Sequence, residues 1–137
     1  MKTLLIFLIE DDIDDQEIFS LIMEEAYPRV ECVFAKDGVE AMEKIENETF
    51  IPNLIFIDLN MPRMNGMECL AGIKNIKRLD SIPIYVYSTS AEQQIIMQCM
   101  ELGATGFIMK HTNIDNAKKE FQRVIADLKS FHVNESF

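Results

Sequence analysis

The sequence is short of the residues that several kinds of site need. Its three cysteines, Cys32, Cys69 and Cys99, lie far apart and include no Cys-x-x-Cys pair. Such a set indicates reduced core thiols in a cytosolic protein and argues against a zinc site. Lysine and arginine number 13 against 23 aspartates and glutamates, and the net charge is -10. Because nucleic-acid phosphates are bound by clustered basic residues, no nucleic-acid partner is expected; a partner with a basic patch, or a bound cation, is favoured instead.

Long apolar runs and phosphate-binding loops are missing as well. The first apolar run, at residues 4–9, is short, ends in three acids and has no small-residue cleavage site after it. A buried strand is therefore favoured over a signal peptide. No glycine-rich loop follows this run, which argues against nucleotide or flavin binding. With 48% hydrophobic residues in 137, the chain is predicted to form one globular cytoplasmic domain with no membrane contact.

Apolar runs of strand length recur along the chain, at residues 4–9, 30–35, 54–58, 84–88 and 106–110. The segments between them have helical spacing. In the last segment the apolar residues step by four, three, four and three along one helix face: Ala117, Phe121, Val124, Leu128 and Phe131. Because the connections are too long for hairpins, the pattern predicts an α/β fold in which five parallel strands alternate with five helices covering both faces of the sheet.

Four helix starts are predicted from an N-cap acceptor followed three residues later by an acid or amide. The pairs are Asp14 with Glu17, Asp37 with Glu40, Asn65 with Glu68, and Ser90 with Gln93. Pro62 and Gly66 are expected to shape the loop that leads to the third of these helices.

Polar residues gather where the predicted strands end. Acids follow the first and third strands, hydroxyls the fourth and an amine the fifth, namely Glu10, Asp11, Asp12, Asp58, Ser88, Thr89 and Lys110. Taken singly, such residues are usually solvated or cap helices. In a parallel sheet, however, ligands bind at the carboxyl ends of the strands, so these side chains are expected to converge. Converging carboxylates repel one another, and oxygen ligands with water in the remaining positions favour Mg²⁺.

These residues resemble those of the response regulator receiver domain, the phosphoacceptor module of two-component signalling. The likeness covers about residues 3–130 and depends on the order of IEDD, FIDLNMPRMNG, YSTS and GATGFIMK. Within the family, the chain is similar to single-domain chemotaxis regulators and to stand-alone receivers that work with phytochrome-type and hybrid histidine kinases. The resemblance implies a flavodoxin-like, doubly wound sheet of strand order 2-1-3-4-5. It also implies one receiver domain over residues 1–137 with a short C-terminal tail.

The resemblance also implies roles for individual residues. Asp58 would accept a phosphoryl group from the phosphohistidine of a sensor or hybrid histidine kinase. Lys110 would pair with one phosphoryl oxygen, and Ser88 would hydrogen-bond another. Mg²⁺ would be held by Asp11, Asp58, the main-chain carbonyl of Asn60 and, through water, Glu10.

A switch and one departure from the family follow from the same comparison. Phosphorylation would draw the Ser88 hydroxyl inward, and Phe107 stands where the family has an aromatic residue that turns with this motion. A role for Phe107 as core filler is equally favoured. His111 replaces the proline that usually follows the lysine, so a trans peptide bond is predicted after Lys110, with the amine still reaching the phosphoryl site.

Two rival functions remain open at this stage. A phosphatase with an aspartyl-phosphate intermediate would carry a second aspartate two residues after the first, where this chain has Asn60. A receiver-like interaction module that is never phosphorylated has no need of the whole set Asp11, Asp58, Ser88 and Lys110. The expected function is therefore a non-enzymatic phosphoacceptor that acts on a downstream protein target. Whether two copies form a homodimer is left open.

Overall fold

Five strands alternate with five α-helices in the computed structural model, which describes residues 3–59, 61, 64–89, 92–110 and 113–131. The strands are β1 (Leu4–Ile9), β2 (Val30–Ala35), β3 (Leu54–Ile57), β4 (Ile84–Ser88) and β5 (Gly106–Met109). The helices are α1 (Ile13–Ala26), α2 (Gly38–Ile45), α3 (Gly66–Lys74), α4 (Gln93–Glu101) and α5 (Ile114–Phe131). A 3₁₀ helix at Lys77–Leu79, which the sequence pattern does not indicate, leads into β4. No helix within these described ranges is both long and apolar enough to cross a bilayer.

All neighbouring strands are parallel, and their order is β2-β1-β3-β4-β5. The predicted fold class and strand order are therefore confirmed. In the register, Ile9 at the end of β1 lies opposite Ile57 at the end of β3. The residues that follow these two strands consequently begin side by side at the carboxyl edge, where strand order reverses.

The alternation of side chains along the strands divides the core into two clusters. Leu4, Ile6 and Leu8 of β1 belong to the cluster under α1 and α5, whereas Phe7 and Ile9 belong to the cluster under α2, α3 and α4. This division follows because successive strand residues point to opposite faces of a sheet. Both faces of β1 are buried, which explains why its sequence is an unbroken apolar run.

An aromatic cluster joins α1, β3 and α5. Phe19 packs edge-to-face on Phe56 and on Phe121, each with ring centroids 5.1 Å apart. All three rings are fully buried. Burying one such side chain stabilises the fold by roughly 1.5 to 3 kcal/mol, so this cluster fixes α1 firmly against the sheet.

The helix starts agree with the predictions at two positions and differ at two. Asn65 and Glu68 form the predicted capping box of α3, and Asp37 caps α2 by accepting from the Glu40 amide. The prediction for Asp14 is wrong, because Asp12 accepts from the Asp15 amide and so caps α1. Adjacent aspartates are equally good caps, and sequence alone does not choose between them.

The fourth predicted start is also displaced. Helix α4 begins at Gln93 after an N-cap at Glu92 that has no side-chain cap hydrogen bond. Ser90 itself lies outside the described residues.

The last helix buries the predicted face. Ala117, Phe121, Val124 and Leu128 are buried, and the side chain of Phe131 lies outside the described part of the chain. The cysteines are free thiols, with Cys69 and Cys99 buried as predicted and Cys32 only half-buried on the edge strand β2.

Candidate functional site

The carboxyl ends of β1, β3, β4 and β5 place four polar side chains at one edge of the sheet. The Asp58 amide donates to the Ile9 carbonyl at 2.9 Å, and the Lys110 amide donates to the Ser88 carbonyl at 2.9 Å. Both residues therefore continue the ladder one step beyond the strand. Glu10, Asp58 and Ser88 are buried. Their positions are set by backbone hydrogen bonds, so the side chains meet at a preorganised site.

Three carboxylates converge at this edge. Glu10, Asp11 and Asp58 each offer an oxygen atom, and these atoms all lie within 4.8 Å of one another. Glu10 and Asp58 are buried, whereas Asp11 is exposed to solvent. A set of hard oxygen donors with one side open to water suits Mg²⁺, which keeps several waters and takes few carboxylates. The residues present therefore fit a divalent cation.

Lys110 supplies the positive charge of the site. Its amine forms an ion pair with Glu10, donates to Asp15 Oδ2 at 3.0 Å and lies 3.7 Å from Asp58 Oδ2. It also lies 5.3 Å from the centre of the Tyr87 ring. The amine is thus enclosed by three carboxylates and an aromatic face, with only 12% of the side chain exposed.

Burial and neighbouring charge perturb the ionisation of this pair. Burial of Glu10 raises its pKa to about 7, and the charge of Asp58 adds to the effect, while the hydrogen bond from Lys110 opposes it. For Lys110, burial lowers the pKa, but the hydrogen bonds to Glu10 and Asp15 outweigh burial and leave the pKa above its usual value. Lys110 therefore remains charged across the physiological range.

The loop after β1 is tied down by Glu10. Its carboxylate accepts from the Asp12 amide at 3.2 Å, and its carbonyl accepts from the Gln16 side chain at 2.7 Å. These bonds connect the end of β1 to the first turn of α1. Asp11 is consequently held between two fixed residues while its side chain stays open to solvent.

Gly66 packs directly against the backbone of Asp58 and Leu59. A Cβ atom at Gly66 would lie 2.3 Å from the Asp58 carbonyl oxygen and 2.6 Å from Leu59 Cα. The Gly66 amide also donates to the Leu59 carbonyl at 3.2 Å. Only glycine permits this approach of α3 to the segment that carries Asp58.

Ser88 and Phe107 lie nearby on the last two strands. A cavity of about 590 Å³ opens beside Ser88, and its walls are formed by Leu59, Met61, Asn65, Met67, Glu92 and Ile95. Phe107 lies opposite Val86 in the sheet and is half-buried against the cluster under α2, α3 and α4. This packing accounts for Phe107 as core filler, and its switch role stays a prediction.

The structure therefore brings Glu10, Asp11, Asp58 and Lys110 together at one edge. Asn60, Pro62 and His111 lie outside the described residues, so the predicted carbonyl ligand and the predicted trans bond after Lys110 stay predictions. Sequence reasoning missed Asp15. Asp15 lies in the first turn of α1, where acids are expected from the helix dipole alone, so no sequence pattern distinguished it.

Known proteins share both the sequence pattern and the fold. The chain matches the family described as response regulator receiver domain over residues 6–122. It is 28% identical to the response regulator Rcp1 of Synechocystis sp. over 131 residues, which cover 92% of this chain and 86% of Rcp1. It is 30% identical to the Regulator of RpoS of Escherichia coli (strain K12) over 79% of this chain but only 32% of that protein.

Solved structures give the same result. The phosphorylated cyanobacterial phytochrome response regulator RcpA matches with a TM-score of 0.81 and 30% identity, over 90% of this chain and 91% of that chain. The Mn²⁺-bound form of the response regulator Rcp1 matches with a TM-score of 0.72 and 30% identity, over 97% and 96% of the two chains. The family match spans most of the chain and the fold agrees, so this protein belongs to the response regulator receiver domain family.

Proposed function

We propose that this chain accepts a phosphoryl group on Asp58 from a histidine kinase and passes the signal on through protein contacts. The observation that carries the proposal is the convergence of Glu10, Asp11 and Asp58 with the Lys110 amine at the carboxyl edge of the sheet. Receiver domains are signalling modules, and slow self-dephosphorylation is the only turnover we expect.

The transfer is an in-line displacement. A carboxylate oxygen of Asp58 attacks the phosphorus of a phosphohistidine, the P–N bond breaks as the P–O bond forms, and the imidazole nitrogen keeps the electron pair and takes a proton from solvent. Charge on the equatorial oxygens is stabilised mainly by positioned cations. Lys110 lies 3.7 Å from Asp58 and is the protein's own cation for this purpose.

Mg²⁺ fits the same site. Asp11, Asp58 and the carbonyl of Asn60 would hold it directly, with Glu10 acting through water. When bound, it offsets the repulsion among the carboxylates and neutralises charge on the phosphoryl oxygens. The relative Rcp1 has a Mn²⁺-bound form, which supports the proposal that this chain binds a divalent cation.

The output follows from the added charge. A phosphoryl group on Asp58 supplies acceptor oxygens that Ser88, buried at the end of β4, is expected to meet through its hydroxyl. The resulting movement would change the surface that a downstream protein target contacts. Phe107 is proposed to turn inward together with Ser88. The kinase is proposed to be a sensor or hybrid kinase, and the relative RcpA is a phytochrome response regulator. A cytoplasmic location stays a prediction, and whether two copies form a homodimer is still open.

Phosphorylation is expected at Asp58 alone. Wild-type protein incubated with a small acyl phosphate and Mg²⁺ should gain one phosphoryl group in an intact-mass measurement, and Asp58→Asn should gain none. Asp14→Asn is the matched control, because Asp14 is exposed and lies outside the carboxylate cluster. An undiminished adduct in Asp58→Asn would refute the assignment, and a wild-type protein that no phosphohistidine donor modifies would favour an interaction module.

Loss of Asp11 should weaken metal binding. Asp11 is an exposed member of the cluster, so Asp11→Ala removes a proposed ligand without opening a cavity in the core. The affinity for Mg²⁺, measured by calorimetry, should fall by about tenfold or more. Asp14→Ala removes the same charge from the same helix region and should bind as the wild type does; equal losses in both variants would contradict the ligand assignment.

A further inference from the structure

Lys110 is shared between the proposed phosphoacceptor and a residue on another element. Its amine donates to Asp15 Oδ2 at 3.0 Å, whereas Asp58 Oδ2 is 3.7 Å away. Asp15 belongs to the first turn of α1, and 95 residues separate it from Lys110 in sequence. The resting amine is therefore held by Glu10 and Asp15, and it lies farther from Asp58, the residue that it is expected to serve.

Asp15 differs from the other two carboxylates around the amine. Glu10 and Asp58 belong to the cluster whose oxygens lie within 4.8 Å of one another, and Asp15 does not. A cation held by that cluster would neutralise charge on Glu10 and Asp58 and leave Asp15 fully charged. With a cation bound there, the contact with Asp15 would therefore be the contact of Lys110 that the cation affects least.

Asp15 cannot move with the Lys110 amine, because α1 is fixed in place. Phe19, one turn further along α1, is fully buried in the aromatic cluster, and the Gln16 side chain donates to the Glu10 carbonyl at 2.7 Å. These contacts fix the first turn of α1 against the sheet. Lys110 has a long, flexible stem, so a move of its amine toward Asp58 has to break the bond to Asp15.

The bond is weak enough to be broken. The Asp15 side chain is 38% exposed, and half-exposed ion pairs contribute no more than about 1 kcal/mol. A phosphoryl group carries nearly two negative charges at neutral pH and is a stronger partner for an ammonium ion. Asp15 can therefore delay the amine but cannot hold it once phosphorylation has occurred.

We infer that Asp15 is a positioning residue that restrains Lys110 in the resting state and competes with the incoming phosphoryl group for its amine. This inference rests on the proposed function of Asp58. It assigns α1 a part in setting how readily the chain accepts a phosphoryl group, through a residue outside the motif that identifies the family.

The test compares phosphorylation rates at saturating Mg²⁺ with a small acyl phosphate as donor. Asp15→Asn keeps the shape of the side chain but removes its charge, and it should accept the phosphoryl group about twofold to fivefold faster than wild type. Asp15→Glu should restore a rate near that of wild type. Asp14→Asn, which removes an exposed charge from the same turn, should change nothing.

Two further measurements distinguish this role from a purely structural one. They are the salt dependence of the phosphorylation rate and the free energy of unfolding. The advantage of Asp15→Asn over wild type should shrink as salt rises, because the half-exposed pair is screened. The free energies of unfolding without metal should be measured for Asp15→Asn, Lys110→Met and the double variant. This double-mutant cycle should give an interaction energy between the two residues, and the cycle of Asp14→Asn with Lys110→Met should give none. A wild type that is phosphorylated while Asp15→Asn reacts at the same rate or more slowly would overturn the inference alone. A wild type that accepts no phosphoryl group would overturn the proposed function itself.

Discussion

Gly66→Ala is expected to destabilise the protein and to displace Asp58 at the same time. The added Cβ would meet the Asp58 carbonyl oxygen at 2.3 Å and Leu59 Cα at 2.6 Å. Both atoms belong to the backbone at the end of β3, so neither can rotate away. Overpacking of this kind costs about 1 to 3 kcal/mol, and the rigid neighbours favour the upper end. The melting temperature should fall by about 10 °C.

The same change should lower phosphoryl acceptance more than tenfold, because misplacing a reacting group by about 1 Å costs on the order of a hundredfold in rate. Intact-mass kinetics at a temperature where the variant is folded separates this effect from instability. Gly72→Ala is the matched control on the same helix. Its Cβ would meet only the flexible end of Met42, at 3.3 and 3.4 Å, so stability should change by less than about 1 kcal/mol and the rate should be that of wild type. A Gly66→Ala protein that matches this control would contradict the packing argument.

Glu10→Gln is expected to stabilise the metal-free protein, and only at higher pH. Burial and the charge of Asp58 raise the pKa of Glu10 from 4.5 to about 7. The folded state therefore favours the protonated carboxyl. The stability that protonation of Glu10 contributes is fully present below pH 4.5 and is lost as pH rises through about 7. The cost of ionising the group at pH 8 is on the order of 3 kcal/mol.

Glutamine imitates the protonated form at every pH. Urea unfolding without divalent cations should therefore give the same stability for variant and wild type near pH 4.5, with Glu10→Gln increasingly the more stable protein between pH 5 and 8. Millimolar Mg²⁺ should narrow the difference at pH 8, because a ligand that binds only the folded state stabilises it. Asp14→Asn serves as control and should show no such pH dependence. A difference between Glu10→Gln and wild type that is constant with pH would contradict the raised pKa of Glu10.

Most of the fold could be predicted from the sequence, because strands and helices are specified by local patterns of apolar residues. Strands β1, β2 and β4 were predicted to the residue, since each is a short, mostly apolar run bounded by polar residues or proline. The apolar face of α5 was predicted in the same way from residue spacing. The described side chains of that face, Ala117, Phe121, Val124 and Leu128, are all buried. The 3₁₀ helix Lys77–Leu79 had no comparable signal, because three residues are too few to show a period.

Four residues of the candidate site were predictable from the sequence, whereas Asp15 and the contacts within the site were not. Glu10, Asp11, Asp58 and Lys110 follow from the rule that parallel strands deliver their carboxyl ends to one edge, combined with the family motif. Asp12 and Asp14 were confused as helix caps because both are aspartates with suitable spacing. The choice depends on which residue has extended backbone angles, and that is set by how β1 leads into α1.

The sequence by itself determined the alternation of strands and helices, the family and the group of polar residues at the sheet edge, because each is written in residue order and spacing. Only the tertiary structure decided how charge is shared there. It placed Asp15 of α1, as well as Glu10, in contact with the Lys110 amine, and it buried Glu10, which raised the pKa of that carboxyl. The physical reason is that Coulomb energies and desolvation depend on distances and burial between residues almost a hundred positions apart, which no local pattern encodes.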